Sequence, residues 1–498
     1  MTSFRAIAFA ILYATSLLVA PDFAHAVNVV TYHNSNTRHG AYIEPTFTQT
    51  AATKMKLDSG FSASVTGNVY AQPLFWHPTG TANGEVIVVT ESNQVSALNS
   101  VTGAKIWSVQ LPASVPLSAL GCGNVNPEGI HGTPVINPTT GTLYLDALVE
   151  VNGVPNHTVY ALSAATGQTL AGWPLNVDTA MKTAGAKFEA FTQGERSGAL
   201  IYDGKLYFTY AGRYGDCDPY YGTVIEINPA TKSLVGQWQT RASGGGIWAQ
   251  GGISSDGTSL FVTTGNTMGA NSWMDGEAIV KLKPGLAHST NTADFFTPKD
   301  WLQLDESDLD LGGTEALPLD IATTGGKTVP RVIAFGKDGN AYLANRTNLG
   351  GIGHQLATMP LSNTVIVTAP TVYQTSTATM VAFTNYSAVA PCSGNVIMMI
   401  SIAPSGKAPI SPAWCAAFNG LGSPILTTTD GTQNPIIWVV GAEGDNVLHG
   451  FNATTGKIIF TGTKQLGGLH HFQTLIEAEG RMYVAGDNTL YAYTYTGG

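Results

Sequence analysis

The feature that most constrains the fold of this chain is a structural unit that recurs along its length. Each copy has a β-rich run, a short turn and a second run of alternating apolar residues. Several copies then continue into Thr-Gly, at residues 102–103, 166–167 and 455–456. Glycine at this place can take the positive φ angle of a tight turn between strands. Repetition of one β-unit is typical of propellers, in which neighbouring copies bury each other's apolar faces.

A second element precedes each copy and indicates how many there are. It is a short strand marked by proline, glycine or another small residue, which suits the crowded innermost strand beside a central channel. Its eight copies contain Pro73, Pro134, Gly198, Gly252, Pro318, Pro370, Pro424 and Thr474. We therefore predict an all-β, eight-bladed propeller of four-stranded blades, with seven blades as the alternative. Residues 27–498 form one domain in this interpretation, and residues 27–32 are expected to supply the last strand that closes the ring.

The composition excludes several other classes of protein. Charged residues are 11% of the 498 residues, hydrophobic residues are 44%, and the formal net charge is −10. Disordered chains are poor in hydrophobic residues, so this chain is not one of them. Nucleic-acid binding needs a basic surface, and a chain in which acid exceeds base is expected to have no nucleic-acid partner.

The first 26 residues have the features of an export signal. Arg5 precedes a mostly apolar run over residues 6–20, and the Ala-His-Ala sequence at residues 24–26 has the small-x-small form of a cleavage site. The apolar run is shorter than a membrane span, and no cysteine follows it that would carry a lipid anchor. We expect a periplasmic or secreted protein with no membrane span or lipid anchor. A buried N-terminal helix is the alternative for this segment.

The chain has four cysteines, an even number that suggests two disulfides in an exported protein. Four cysteines allow three pairings. Cys392 and Cys415 are the most local pair, which favours that bond together with one between Cys122 and Cys217.

The repeats resemble those of the propeller family of the pyrroloquinoline quinone (PQQ) type, whose repeat has the form Tyr-Ala-Leu-Asp-x-x-Thr-Gly-x-x-x-Trp. The resemblance covers nearly all of residues 27–498. The family contains eight-bladed quinoprotein dehydrogenases and also non-enzymatic relatives, including an outer-membrane assembly lipoprotein that has the repeats without the cofactor. The repeat therefore predicts the fold, whereas the activity has to be inferred from the site.

More specific matches to this family occur in the middle of the chain. Gly-Gly-Gly-Ile-Trp at residues 244–248 resembles the segment whose tryptophan, here Trp248, forms the floor under the quinone. Thr-Gly-Asn at residues 264–266 resembles the segment whose asparagine, here Asn266, binds calcium. Lys337 lies in a segment that resembles the one whose basic residue reaches the quinone oxygens. An indole plane, an amide oxygen and a lysine suit a flat ring, a hard cation and an anionic quinone respectively.

The match to the catalytic carboxylate is less direct. Thr-Pro-Lys-Asp at residues 297–300 resembles the Thr-Pro-x-Asp segment before the catalytic aspartate, so Asp300 and Asp305 are the candidates for this role. Further carboxylates follow at Glu306, Asp308 and Asp310 and are expected to bind Ca²⁺ or to lie in a solvated loop. The dehydrogenases cover the quinone with a disulfide between adjacent cysteines and bind calcium with a glutamate. This chain has no adjacent cysteines and no clear counterpart of that glutamate.

Each candidate also has a structural interpretation. Trp248 would then be an ordinary tryptophan between blades, Asn266 a turn residue and Lys337 part of a hairpin turn.

Another set of polar residues lies at or just before the innermost strands of separate repeats. If the blades are equivalent, these side chains converge at one mouth of the channel and form either a ligand site or a hydrogen-bonded polar plug. The set consists of His131, Arg196, Gln250, Glu315 and His471.

Two functions follow from these residues. The favoured one is an exported, non-catalytic binding or scaffold protein, whose channel mouth takes a small molecule or a protein or glycan partner. The alternative is a dehydrogenase dependent on PQQ and calcium that oxidises an alcohol or a sugar, with Trp248, Lys337 and Arg196 at the cofactor and Asn266 at the metal.

Overall fold

The computed structural model describes residues 28–495 except residues 288 and 324. The predicted export signal, residues 1–26, lies outside the described residues. The described chain forms eight antiparallel four-stranded sheets that follow one another around a ring. The prediction of an eight-bladed propeller is therefore confirmed, and the alternative of seven blades is wrong.

Within each blade the four strands run in sequence from the channel to the outside. Blade 1 consists of Leu74–Trp76, Glu85–Val89, Gln94–Asn99 and Lys105–Gln110. Blade 2 consists of Val135–Asn137, Thr142–Val151, Val154–Ser163 and Leu175–Asn176. Blade 3 consists of Leu200–Tyr202, Lys205–Gly212, Thr223–Asn228 and Ser233–Gln239. Blade 4 consists of Ser254–Ser255, Leu260–Thr263, Ile279–Leu282 and Phe295–Thr297.

The second half of the ring repeats this order. Blade 5 consists of Leu317–Ala322, Thr328–Phe335, Asn340–Asn345 and Ala357–Pro360. Blade 6 consists of Thr371–Gln374, Thr379–Ala388, Gly394–Ile402 and Ile410–Ala417. Blade 7 consists of Ile425–Thr428, Ile436–Val440, Leu448–Asn452 and Ile458–Thr461. Blade 8 consists of Ile476–Ala478, Arg481–Gly486, Thr489–Tyr495 and, from the start of the chain, Met55–Leu57.

Short elements lie between or beside the blades. The additional strands are Ala41–Ile43 on blade 7, Gln193–Gly194 on blade 3 and Gly351–Ile352 on blade 4. The α-helices are Gln49–Ala52, Val177–Thr183 and Trp301–Glu306, and the 3₁₀ helices are Tyr32–Asn34, Leu117–Ala119 and Leu311–Gly313. None of the described helices has the length and hydropathy that crossing a membrane requires.

The ring is closed by a strand from the N-terminal part of the chain, as predicted, but the segment differs. Met55–Leu57 pairs antiparallel with Thr489–Tyr495, so that Met55 lies opposite Tyr495. The expectation that residues 27–32 form this strand is wrong. Val29 instead bridges to Phe75 beside the innermost strand of blade 1, because the segment that follows it enters the channel.

Residues 28–40 fill one end of the central channel. Arg38 is completely buried there, and its guanidinium donates hydrogen bonds to the carbonyl oxygens of Ile253, Gly198 and Ala199 and to Thr31 Oγ1. A buried arginine is costly unless its donors are satisfied. The N-terminal segment is therefore held inside the channel by polar contacts with blades 3 and 4.

The geometry that recurs from repeat to repeat is explained by packing between neighbouring blades. Trp107, on the outermost strand of blade 1, donates a 2.9 Å hydrogen bond from Nε1 to the Ala164 carbonyl of blade 2. The indole lies on the Thr-Gly turn of that blade, where a Cβ atom on Gly167 would come within 2.5 Å of it. Gly167 also has a φ of 71°. The glycine is needed both for the turn and for the approach of the indole.

Candidate functional site

The candidate site lies at the end of the channel opposite the N-terminal segment. The innermost strands all run in the same direction, so the loops that precede them meet at this mouth. Aromatic contacts across the channel confirm that it is narrow: the rings of Trp248, before blade 4, and Phe472, before blade 8, have centroids 6.4 Å apart.

The first cluster at the mouth is built around Asp310, in the loop before blade 5. Its Oδ2 accepts hydrogen bonds from Trp248 Nε1 at 3.0 Å and lies 2.6 Å from Lys337 Nζ. Lys337 Nζ also lies 5.2 Å from the centre of the Trp248 ring and 2.9 Å from Asp308 Oδ1. Burial works against the charge of Lys337, but Asp310 and Asp308 outweigh it and raise the lysine's pKa. The cluster therefore holds a charged ammonium over one face of a partly exposed indole.

Asn266 joins this cluster through its main chain. Its backbone N–H donates to Asp310 Oδ1 at 2.9 Å. The next residue, Thr267, donates through its N–H and its hydroxyl to Asp305, a buried carboxylate whose pKa is raised by burial. Through these hydrogen bonds to Thr267, Asp305 holds the turn that contains Asn266 in place.

A second cluster at the mouth contains two arginines around a cavity of about 20 Å³. Arg213 is buried, pairs through Nε with Glu128 at 2.8 Å and donates from Nη1 to the Ala190 carbonyl, but its Nη2 has no partner. The guanidinium of Arg196 is half-buried and has no hydrogen bond or ion pair with another described residue. Glu195 also lines this cavity, and burial together with Asp146 raises its pKa well above the ordinary value.

The second cluster contains carboxylates as well as arginines, and Glu128 and Glu91 both lie close enough to Arg196 to stabilise its charge. Burial raises the pKa of Glu128 but Arg213 outweighs it, so that carboxylate is charged and already paired. The raised pKa of Glu195 favours its neutral form. Arg196 and Arg213 line the cavity with N–H groups that have no hydrogen-bond partner among the described residues, and the enclosed space is about that of one water molecule.

Three stacked aromatic side chains connect the loops that precede blades 8, 1 and 2. Tyr70 lies between His131 and His470, with centroid distances of 4.6 and 4.2 Å. His131 Nδ1 lies 2.6 Å from Glu91, and His470 Nε2 lies 2.8 Å from Asp487. These carboxylates orient the rings and limit which of their atoms can contact a ligand.

His471 is also at the mouth. Its Nδ1 lies 2.8 Å from Glu443, and its ring contacts Phe472, which faces Trp248. The mouth therefore brings together Trp248, Lys337, Arg196, His131 and His471, five of the residues predicted from the sequence.

Three predicted residues lie elsewhere. Glu315 is completely buried below the mouth and faces Arg38 of the N-terminal segment; burial raises its pKa to about 7. Gln250 lies on the turn beside it. Asp300 is exposed at the start of the helix Trp301–Glu306, so the structure places it outside the cluster around Asp310. Its catalytic role, like that of Asp305, stays a prediction.

The disulfides join Cys122 with Cys217 and Cys392 with Cys415, which is the pairing favoured from the sequence. Cys122–Cys217 connects the loop between blades 1 and 2 with a loop of blade 3 beside the mouth. In that second loop Asp216 accepts a hydrogen bond from Tyr220, and burial and the nearby Asp310 raise the pKa of Asp216.

Some residues of the site were not assigned from the sequence. Asp310 was noted only as one of several carboxylates, and its central role depends on two other blades. Arg213, Tyr70 and Phe472 have no motif that would single them out. Their one sequence signal is position: Tyr70 and Phe472 lie in loops that lead to an inner strand, and Arg213 follows the second strand of blade 3.

Comparisons with known proteins show what fold this is. No model of a protein family matches the chain, and no curated protein sequence matches it. Among solved structures, a quinohemoprotein alcohol dehydrogenase from Comamonas testosteroni is similar with a TM-score of 0.67 and 14% identity, over 94% of this chain and 80% of that one. A europium-containing methanol dehydrogenase gives 0.66 and 13%, over 94% and 98%. BamB from Moraxella catarrhalis gives 0.50 and 15%, over 89% and 100%.

At these identities the likeness establishes the fold alone. The chain has the eight-bladed propeller fold of the quinoprotein type, as the repeats predict. Because this fold occurs with different functions, what the mouth binds has to be judged from its own residues.

The residues at the mouth fit a planar carboxylate-bearing molecule such as PQQ. Trp248 offers the indole face that Lys337 does not cover, and Arg196 and Arg213 Nη2 offer N–H donors to carboxylates. The same residues do not fit a calcium ion. Both oxygens of Asp310 already accept N–H donors, and the Lys337 ammonium stands where a cation would have to approach. In the described part of the chain no group of three or more His, Cys, Asp or Glu side chains is arranged to hold a metal.

Proposed function

We propose that this protein is a non-catalytic binding protein whose channel mouth holds a planar organic molecule with carboxylate groups, and that it does so without calcium. The observation that carries the proposal is a pair of unused arginine donors: within the described residues the Arg196 guanidinium makes no hydrogen bond, although Glu128 and Glu91 lie near it, and Arg213 Nη2 has no partner. Buried or half-buried arginines are normally paired. A ligand carboxylate would complete these donors.

The aromatic residues of the mouth support the planar part of the ligand. Trp248 is half-buried, its Nε1 is fixed by Asp310, and Phe472 lies across the channel. A flat ring that rests on the indole would be stacked on one side and bordered by Lys337. Rings pack favourably on such fixed aromatic faces.

Export is part of the proposal. The two disulfides are typical of proteins in oxidising compartments. The predicted signal at residues 1–26 agrees with this location, which we propose to be the periplasm or the exterior.

The proposal is tested by titrating the protein with PQQ and following tryptophan fluorescence. We expect saturable quenching in the wild type. Arg196→Ala should weaken binding about tenfold to a hundredfold, because a hydrogen bond to a charged group is worth about 1.5–3 kcal/mol. Trp248→Ala should weaken it about tenfold or more and remove most of the quenching.

Arg331→Ala is the matched control. Arg331 also donates hydrogen bonds to carbonyl oxygens, but it lies on blade 5 and contacts Pro404 of blade 6, away from the mouth. This variant should bind like the wild type. Equal affinities of the wild type and Arg196→Ala would contradict the proposed site.

A quinone-dependent dehydrogenase is the second candidate, and one observation favours it. Trp248, Lys337, the Asn266 main chain and a carboxylate, Asp310, meet within hydrogen-bond distance. A bound quinone would supply the oxidant for an alcohol or a sugar. The chain's own part would be to position the substrate and accept its hydroxyl proton on a carboxylate, for which Asp310 lies nearest to the indole.

Reduction of an artificial electron acceptor in the presence of PQQ, an alcohol and Ca²⁺ distinguishes the two functions. Turnover that Asp310→Asn abolishes would establish the dehydrogenase. PQQ binding without turnover would establish the binding protein.

A further inference from the structure

A second concave surface lies on blades 2 and 3, apart from the mouth. It is a groove of about 750 Å³, within the size range of sites for small organic ligands, about 300–1,000 Å³. Its lining shares no residue with the arginine cavity of the mouth. Three aromatic residues line it, Phe188, Phe191 and Tyr221; Phe188 is buried, whereas Phe191 is 48% exposed. The exposed phenylalanine offers a ligand in a groove of this size an aromatic contact surface.

The aromatic side chains stand on backbones that are held in place. The carbonyl of Phe191 accepts a hydrogen bond from Gly121, next to the disulfide-bonded Cys122. The carbonyl of Tyr221 accepts one from Gln193 Nε2, and its hydroxyl one from Lys187 Nζ at 3.1 Å. A ligand would therefore meet preformed aromatic surfaces and lose little free energy in ordering them.

The polar residues of the groove match a ligand without net charge. Two lysines, Lys182 and Lys187, stand against Asp178 and Glu189. Asp178 is occupied by the backbone N–H groups of His157 and Ala190. The side chains of Lys182 and Glu189 are exposed and have no hydrogen bond within the described chain, so the groove offers both a donor and an acceptor.

The neighbouring strand does not offer an edge to an extended peptide. On the side of Val154–Ser163 that faces the groove, Pro155 has no N–H group and the N–H of His157 already donates to Asp178 at 2.8 Å. Addition of a peptide strand needs such free N–H groups along the edge. This disfavours recognition of a peptide main chain.

We propose that this groove binds a neutral oligosaccharide. Sugar rings present apolar C–H faces that pack on exposed aromatic rings, and their hydroxyls both donate and accept hydrogen bonds. Phe191 and Tyr221 supply the aromatic faces, and Lys187, Glu189 and Asn156 supply donors and acceptors at the rim. The proposal is independent of the ligand at the mouth.

The test is isothermal titration with a panel of neutral tetrasaccharides that includes cellotetraose, maltotetraose and tetra-N-acetylchitotetraose. We expect at least one to bind with a Kd below about 1 mM. Phe191→Ala and Tyr221→Ala should each weaken it at least tenfold. Phe191→Leu keeps an apolar side chain without the flat ring and should also weaken binding, which separates loss of stacking from loss of folding.

Two control variants make the outcome specific. Tyr214 is 71% exposed but lies outside the groove, so Tyr214→Ala should bind the sugar like the wild type. Trp248→Ala, which alters the mouth, should do the same. Absence of binding across the panel, or binding that survives both Phe191→Ala and Tyr221→Ala, would overturn the proposal, whatever the result with PQQ.

Discussion

Arg213 and Glu128 form a buried ion pair that couples blade 3 to the loop before blade 2. Their side chains are 3% and 9% exposed, and the contact is 2.8 Å. Removing one partner of such a pair leaves an uncompensated buried charge. The pair therefore stabilises the fold at the place where the proposed ligand site is built.

We expect Arg213→Ala to lower the free energy of unfolding by about 3–5 kcal/mol. Urea denaturation measures this change. Lys457→Ala, at an exposed lysine, should change it by less than about 0.5 kcal/mol. A loss below about 1 kcal/mol for Arg213→Ala would show that the pair is not buried as described.

Glu315 makes the stability depend on pH. Burial raises its pKa from 4.5 to about 7 in the folded protein. An acid with a raised folded pKa binds more protons in the folded than in the unfolded state, so stability falls as the pH rises from about 4.5 to 7 and then stays level. At full ionisation the cost is about 3 kcal/mol.

Glu315→Gln should remove this contribution. The variant is expected to be more stable than the wild type at pH 8 by up to about 3 kcal/mol and nearly equal to it at pH 4.5. Thermal or urea unfolding at the two pH values measures the difference. A variant that is destabilised equally at both values would show that the carboxylate is instead needed, ionised, by Arg38.

How far residues could be predicted from the sequence depends on whether their partners are local. Trp248 and Lys337 lie in short segments with a recognisable pattern, and both are found at the mouth. Asp310 could not be selected from the neighbouring carboxylates, because its partners Trp248 and Lys337 come from other parts of the ring. Arg213 could not be selected either. It is a candidate because its Nη2 has no hydrogen-bond partner among the described residues, and this is visible only in the folded structure.

At the scale of elements, the contact between a tryptophan and the next blade's turn explains the repeat. Trp107 lies on Gly167, and in the same way Trp414 Nε1 donates to the Ala453 carbonyl at 2.8 Å and lies on Gly456. The Thr-Gly and tryptophan positions of the repeat are thus partners between blades. For this reason the sequence repeat predicts the architecture reliably even where the loops differ in length.

Gly167→Ala tests this packing. The substitution places a Cβ atom 2.5 Å from Trp107 and strains a residue at φ 71°. We expect a loss of about 2–5 kcal/mol, the sum of left-handed strain and overpacking. Gly153→Ala is the matched control, with φ 78° and no atom within 4 Å, and should cost only about 1–2 kcal/mol. Equal losses would contradict the role given to the tryptophan.

At the scale of the whole molecule, one segment of the chain has two roles. Residues 28–40 fill the channel, and Met55–Leu57 completes blade 8. The sequence predicted that an N-terminal strand closes the ring, but the segment that it indicated, residues 27–32, was the wrong one. The choice depends on Arg38, whose buried hydrogen bonds to blades 3 and 4 could not be anticipated from local pattern.

Removal of residues 28–60 should therefore abolish cooperative folding. It exposes the edge of Thr489–Tyr495 and leaves the polar groups of the channel without partners. Differential scanning calorimetry should show a single transition for a chain that begins at Asn28 and none for the shorter one. The same transition temperature in both would contradict closure by this segment.

Whether the mouth binds a planar carboxylate without calcium is tested by titrating the wild type with PQQ in EDTA and again in excess Ca²⁺. We expect saturable quenching with the same Kd in both solutions, because in the proposed complex the Lys337 ammonium beside Asp310 would take the place of the cation and Arg196 would bind the carboxylate. Binding that appears only with Ca²⁺, or no binding in either solution, would contradict the proposal.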